Sequence, residues 1–517
     1  MQNESRYNSL LYSRQFIAGP RASAVQDSWR VTRFGSHMFV SHHPSLAVTS
    51  ACFEDREVLC LGHIFDPHFP LHKNEDVIKD ILLRSRSMED VETVIRELAG
   101  RWILFISLNG HTRMYPDAAG TKQAFYTTGT TNHEMWIASQ PGLLSNVLSL
   151  TKNRSVLKRF YSHPFKNCWP GQATPYDNIR QLRPNHYLDL QSGHAVRFWP
   201  CKDLPHIELD AAANKIRETL SAILVSLSHR RRVAMTLTGG YDTRVLFACT
   251  EKIRKTLTFF VVVDPVTPYH DISIPKRLIR QFGLKGEIIR AEKFGKEFYS
   301  AYRKNVDEML WEPGNIKICT FRRYGDDWFV VSGNIAEIGR SWYYKKDGVG
   351  PRHITPEILA EVTGYRGNPI ATEDFETFLS EIPKDINVNT LDLVLWEYRF
   401  GNWASLSLTA YDAVCEVIPV WNCRAVLETA LAVEVGMRKE PFHLFRRICE
   451  LCDPELLKIP FNDSLPTRIS KLMNQHVHDG IMRRIKFGRT KLGMKLGGFG
   501  PYLDELPQMD TLLQQSQ

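Results

Sequence analysis

Leu237-Thr238-Gly239-Gly240-Tyr241-Asp242-Thr243-Arg244 follows a short apolar run, Val233 to Leu237, and leads into a helical stretch from about Asp242 to Thr250. A buried strand that turns through two glycines into a helix brings backbone amides close to whatever sits above the turn. The start of the helix adds the positive end of its dipole, so the loop is a ready anion site. Hydroxyls on Thr238 and Thr243 can donate to phosphate oxygens. Asp242 would repel a phosphate unless a cation lay between them. It therefore makes sense as a magnesium ligand on a polyphosphate. The G-x-x-x-x-G-K spacing of a Walker loop is absent. A bare Gly-Gly turn would be read as structural; the full string asks for more.

The surroundings of this loop set the fold class. Asp210 is read as a helix cap, and Ile216, Leu220, Ile223, Leu224 and Leu227 form an apolar stripe that ends at Arg230-Arg231-Arg232, where positive charge suits the dipole. Leu257 to Val263 is the next strand, Ile272 to Phe282 a helix, Glu287 to Arg290 a strand, and Trp328 to Val331 another. Alternating strands and helices with continuously apolar strands predict a doubly wound parallel sheet. From about residue 355 the chain reads as mostly helical. The first two hundred or so residues read differently, as β-rich with short helices. Strands are expected at Glu57 to Phe65, Trp102 to Leu108, Thr112 to Tyr115 and around Trp136-Ile137-Ala138. Tyr187 to Leu190 is expected to pair across Gly193 with Val196 to Phe198. A helical stretch opens at Asn74, with its pattern continuing through Val94 to Leu98.

The chain has 517 residues, 43% hydrophobic and 24% charged, an ordinary globular composition that fits two domains or more. The net charge of +8 is modest. Part of it lies in a basic tail containing Arg483, Arg484, Lys486, Arg489, Lys491 and Lys495, read first as a solvated helix face. Aromatic–basic interleaving is missing, so nucleic acid is not the expected partner. The amino terminus lacks a signal pattern and Leu257 to Val263 is too short to span a bilayer, so a cytoplasmic protein with reduced thiols is expected. Ten cysteines are scattered. Cys449 and Cys452 form a lone C-x-x-C, a poor zinc or redox signal.

The string 237–244 closely resembles the S-G-G-x-D-S loop of the ATP pyrophosphatase superfamily, with threonine at both serine positions. The resemblance extends over nearly the whole chain to the asparagine synthetase family. Leu98-Ala-Gly-Arg-Trp102 is similar to the family's L-x-G-x-F strand. Arg113-Met-Tyr-Pro-Asp117-Ala-Ala-Gly120 is similar to its R-D-x-x-G hairpin, followed by Phe125-Tyr126. Ile137-Ala138-Ser139, Trp169 to Thr174, Ile179, Pro184 and Phe198-Trp199 follow in the family's order. Ser332-Gly333-Asn334-Ile335-Ala336-Glu337 resembles the loop S-G-[DE]-G-[AS]-D, with Arg340 just beyond. Pro419-Val-Trp-Asn422 looks like the P-F-L-D turn, and Lys458, three residues before Phe461, matches the lysine of R-x-K-x-x-F although Leu456 replaces the arginine.

The resemblance implies an Ntn-type glutaminase-like β-rich sandwich over residues 1–204. An ATP pyrophosphatase (synthetase) domain over 205–517 would follow, with a helical carboxyl half and the basic tail. It implies ATP held by Leu237 through Arg244, Val263, Ser332, Gly333 and Arg340, with the strand ending at Val263 beside the adenine. Magnesium would be held by Asp242 and Glu337, and Lys458 would be catalytic. The family's glutaminase nucleophile is a cysteine at position 2. Gln2 stands there and the first cysteine is Cys52, so no glutaminase activity is expected, as in the β-lactam synthetases and lasso-peptide cyclases. Glu337 for aspartate and Asn334 for an acid or tyrosine also depart from the pattern, and leave the general base open, with Glu397 and Tyr398 as options beside a packing role. The implied reaction is adenylation of a carboxylate and transfer to an amine or ammonia. Natural-product or peptide cyclisation is one version of it, and a homodimer is one option for assembly. A catalytically decayed scaffold and a nucleic-acid-binding module stand as alternatives.

Overall fold

The computed structural model describes residues 10–129, 134–165, 167–264, 267–292, 295–310, 315–344 and 353–462. Gln2 and the basic tail lie outside them. The amino-terminal strands are β1 (Phe16–Gly19), β2 (Arg30–Phe34), β3 (Met38–His42), β4 (Val48–Phe53), β5 (Arg56–Phe65), β6 (Ala99–Leu108), β7 (His111–Pro116), β8 (Phe125–Thr127), β9 (Ile137–Ala138), β10 (Ile179–Gln181), β11 (His186–Asp189) and β12 (Ala195–Arg197). They form two antiparallel sheets, ordered β10-β8-β9-β1-β3-β2 and β12-β11-β7-β6-β5-β4. Side chains alternate across a strand, and β5 and β6 use both faces. Leu59, Leu61, Ile103 and Phe105 join Phe16, Phe34 and Val40 between the sheets. Val58, Cys60, Leu104 and Ile106 face the other way, against Ile78, Ile81, Val91 and Val94.

Those last four come from α1 (Asn74–Arg84) and α2 (Met88–Glu97). The sequence reads as one continuing pattern here, but the chain breaks between them. The Ser87 hydroxyl accepts from the Asp90 amide at 3.2 Å, and the Asp90 carboxylate accepts from the Ser87 amide at 3.0 Å. This reciprocal cap starts a new helix.

The second set of strands is β13 (Arg232–Thr236), β14 (Thr258–Val263), β15 (Gly286–Arg290), β16 (Trp328–Ser332) and β17 (Glu416–Pro419). All neighbours are parallel, in the order β15-β14-β13-β16-β17. The fold is thus a mixed α/β one, as the alternation of strands and helices predicts. The helices that matter for the site are α3 (Leu209–Arg230), α4 (Tyr241–Cys249), α5 (His270–Gln281) and α6 (His443–Cys452). Glu208, not Asp210, takes the cap position of α3; Asp210 lies in its first turn, paired with Arg447 at 2.8 Å. Among the described residues no helix is long and apolar enough to cross a membrane.

A buried polar seam joins the two sets of strands. Asp117, fully buried, accepts from the Thr121 amide at 2.7 Å, the Lys122 amide at 2.9 Å and the Asn422 side chain at 2.8 Å. Asn422 in turn accepts from the Ala119 amide at 2.9 Å. Arg101 donates to Asp412 at 2.9 Å, and Arg14 Nε lies 3.1 Å from Glu416. Buried polar groups are tolerated when paired, and here both strings that resemble family motifs, at Asp117 and at Asn422, are satisfied by each other.

Candidate functional site

The strand order places β13 at the centre, with β14 and β15 added to one side and β16 and β17 to the other. The crevice beyond the carboxyl ends of β13 and β16 is therefore the topological switch point, where ligands bind in open α/β sheets. Both loops singled out in the sequence open there. Residues 237–240 leave β13 and residues 333–335 leave β16. They touch: a Cβ added to Gly333 would stand 2.9 Å from the Asp242 Cβ and 3.2 Å from the Thr243 nitrogen. Only glycine permits that approach.

The first loop is internally bonded. The Thr238 and Thr243 hydroxyls lie 3.0 Å apart. The Thr238 amide donates to Thr243 Oγ1 at 3.2 Å and the Gly240 amide to Thr238 Oγ1 at 3.2 Å. The Gly239 amide donates to the Asp271 carboxylate of α5 at 2.9 Å. Gly240 is the N-cap of α4 and has no side chain to cap with, while Asp242 in the first turn complements the dipole. Arg340 Nη2 reaches Asp242 Oδ2 at 2.8 Å.

The second loop is strained and carries unmatched polar atoms. Ile335 stands where the resembling loop has glycine, and its φ is +81°. A β-branched residue in that region costs on the order of 1–3 kcal/mol. The strain sets the tight turn 336–340 that presents Glu337 and Arg340. Among the described residues Ser332 Oγ, Glu337 Oε2 and Arg340 Nε are buried and find no hydrogen-bond partner. Such atoms are expensive unless a ligand or ion completes them.

A third element closes onto the loops from far along the chain. Arg244, fully buried, donates to the carbonyls of Leu456, Ile459 and Pro460, each at 3.1 Å. Burial pulls its guanidinium down to about 10. Tyr241 stacks on Phe461 with centroids 4.2 Å apart, and Arg446 donates to the Tyr241 hydroxyl at 2.6 Å. The Asn462 amide donates to the Gly239 carbonyl at 3.0 Å. The side chains of Tyr241 and Arg244, expected at the phosphates, are therefore turned toward segment 456–462. They seat that segment against the helix, which is buried on nearly every side. This docking sets the turn Pro454–Lys458 against Arg244 of α4. The Lys458 ammonium itself is exposed and paired with Glu455.

Val263 ends β14, one strand away from β13, opposite Arg290 of β15, and is half-buried. Glu397 and Tyr398 do not reach the crevice. Glu397 holds Arg197 through two bonds of 2.6 and 2.9 Å and accepts from Asn185 at 2.8 Å. Burial alone would raise its carboxyl, but Arg197, His186 and Arg183 together hold it below the usual range. The Tyr398 hydroxyl donates to Asp374 and its ring stacks on Phe375. Glu397 thus packs against the amino-terminal strands through Arg197, and Tyr398 against the helix that carries Asp374 and Phe375.

No family model matches the chain and no curated protein matches it. Solved structures do. NMN synthetase from Francisella tularensis matches with a TM-score of 0.19 and 13% identity, over 36% of this chain and 77% of that one. An ammonia-dependent NAD synthetase from Campylobacter jejuni gives 0.20 and 14%, over 37% and 82%. A glutamine phosphoribosylpyrophosphate amidotransferase from B. subtilis gives 0.24 and 9%, over 65% and 73%. At these TM-scores the function rests on the site's own residues.

Those residues could hold a polyphosphate with a divalent cation. Among the described residues no group of three or more His, Cys, Asp or Glu could hold a metal by itself. Magnesium commonly takes only one or two protein carboxylates and completes its shell with phosphate and water. Asp242 at the first loop and the unmatched Glu337 oxygen at the second supply such a pair of acids. Asp271 is the residue that sequence reasoning missed at this site. It lies 32 positions from Gly239, and nothing in the local pattern links the two.

Proposed function

We propose that this chain is an ATP-dependent carbon–nitrogen ligase that activates a carboxylate as its adenylate, with release of pyrophosphate, and passes the acyl group to an amine or ammonia. The observation that carries the reading is the apposition of Gly333 to Asp242. It brings a glycine-rich loop, a helix start and two acid-bearing turns together at the switch point of a parallel sheet. Magnesium, when bound through Asp242 and Glu337, would offset charge on the phosphates as the α–β bond breaks. The amides of Thr238, Gly239 and Gly240, held by Thr243, Asp271 and Thr238, would turn to the departing pyrophosphate together with the start of α4. Ser332 Oγ and Arg340 Nε offer further donors to phosphate oxygens. Lys458, on a turn seated against the loop, is proposed to swing from Glu455 toward charge that develops on the transferred group. The substrate carboxylate attacks the α-phosphorus, and the amine then displaces AMP at the acyl carbon.

The test is product analysis with a carboxylate and amine that support turnover. AMP and pyrophosphate are expected. ADP and phosphate would sink the mechanism. A second reading, a scaffold that has lost activity, is favoured by one feature: Asp242 and the Gly239 amide are already engaged, by Arg340 and by Asp271. Magnesium-dependent ATP binding separates the two, since a scaffold should show none.

A further inference from the structure

We propose that Asp271 is a built-in stand-in for phosphate, whose carboxylate takes the Gly239 amide and must be displaced when pyrophosphate or ATP enters. This inference rests on the nucleotide-binding reading of the loop and adds a control to it. Three successive amides of the loop have internal acceptors. Two of these, Thr243 Oγ1 and Thr238 Oγ1, are hydroxyls at 3.2 Å, neutral and able to turn over into donors. The third is Asp271 Oδ1 at 2.9 Å, the charged and shorter one. A phosphate oxygen that takes the Gly239 amide competes with a carboxylate already there.

The contact is held by packing as well as by charge. A Cβ on Gly239 would stand 3.0 Å from Ile274 Cδ1, 3.2 Å from Asp271 Oδ1 and 3.3 Å from the His270 carbonyl. The loop thus lies pressed on the first turn of α5, and a side chain at Gly239 would make its neighbours give way. Asp271 is not locked away: its side chain is 26% exposed, and its other oxygen lies 3.7 Å from His270 Nε2. A rotation about its side-chain bonds would free the amide without moving the helix. Two like charges cannot share one donor in a cleft, so the bound anion and the Asp271 carboxylate oppose each other. Magnesium on the nucleotide would ease that opposition, whereas metal-free pyrophosphate meets it in full.

The experiment is calorimetric titration of wild type, Asp271→Asn and Asp271→Glu with inorganic pyrophosphate without metal and with Mg·ATP. Thermal melts would establish that each variant is folded. Asparagine keeps an oxygen that can accept from Gly239 but removes the charge. Asp271→Asn is expected to bind metal-free pyrophosphate on the order of ten-fold more tightly than wild type, with a smaller gain for Mg·ATP. Asp271→Glu keeps the charge and should not tighten binding. Unchanged or weaker pyrophosphate binding by Asp271→Asn would overturn the proposal, weaker Mg·ATP binding marking Asp271 as a metal ligand. Equal tightening by both variants would also overturn it, since loop loosening would then be the cause. If wild type binds Mg·ATP and only the variant result fails, this inference alone falls. If neither wild type nor Asp271→Asn binds any of these ligands, the nucleotide reading falls with it.

Discussion

Arg340 Nη2 lies 2.8 Å from Asp242 Oδ2, and the two residues are 98 positions apart in the chain. The pair ties the loop after β16 to the first turn of α4. The same guanidinium stands 5.2 Å over the Phe442 ring, so it is fixed from two sides. A cation on the nucleotide must therefore share the Asp242 carboxylate with Arg340 or replace it. The pair neutralises the acid and holds it in place.

Replacing Arg340 by Met should remove one charged donor from the Asp242 carboxylate in a half-buried site. The expected loss of stability is on the order of 1–3 kcal/mol. Magnesium alone should recover part of it in the variant and do little for wild type. Urea unfolding with and without magnesium reads both effects. A variant indifferent to magnesium would count against Asp242 as a metal-competent acid.

Asp242→Asn and Lys458→Ala should fail differently. Loss of the Asp242 charge leaves phosphate charge uncompensated, so binding of Mg·ATP itself should weaken. Lys458, exposed and paired with Glu455, is proposed to act only as charge develops. An interaction made mainly in the transition state lowers turnover with little change in ground-state binding. Lys458→Ala should keep Mg·ATP affinity within a few-fold and lose about 10²–10³ in amide formation. Normal turnover in Lys458→Ala would leave that lysine as a surface residue.

Arg244→Leu should loosen the segment that Arg244 holds. Three carbonyls, at Leu456, Ile459 and Pro460, lose a charged donor. The chain around residues 456–462 should become open to protease in the variant, and global stability should fall by on the order of 1–3 kcal/mol. Arg244→Lys should not restore protection, because one ammonium cannot span three carbonyls set out for a planar fork. A cleavage pattern identical to wild type in Arg244→Leu would deny the docking role.

Acid should expose the seam between the two sets of strands. Burial by itself would raise the Glu416 carboxyl, but Lys122, His63, Arg14 and Arg101 together hold it at about 2. A carboxyl depressed on folding stabilises the fold above its unfolded value, ordinarily 4.5. That contribution is lost as pH falls from there toward about 2, because the unfolded chain takes up the proton first. Glu416→Gln should therefore be less stable at neutral pH, with a flatter acid limb, by up to about one proton's worth of slope. Denaturant midpoints measured from pH 7 down to 3 check this; an unchanged limb would contradict it.

What the sequence determined by itself is local. The loop 237–244 is legible because a buried strand, two glycines and a helix start are contiguous, and backbone geometry follows from neighbours. The alternation in β5 and β6 and the apolar runs of β13, β14 and β16 are legible for the same reason. β17 was missed because Glu416 to Pro419 is too short to show a period and begins with a buried acid. Only the tertiary structure decided which charges meet. Asp242 finds Arg340, Gly239 finds Asp271, Arg244 finds carbonyls more than two hundred positions away, and Asn422 finds Asp117 across 305. A side chain's type fixes what it can bond, but its partner is set by which strands and helices the folded chain packs together. For that reason the side chains of Tyr241 and Arg244, read at the phosphates in the sequence, meet segment 456–462 in the fold, while Glu397 and Tyr398, open between proton transfer and packing, are bonded to Arg197 and Asp374.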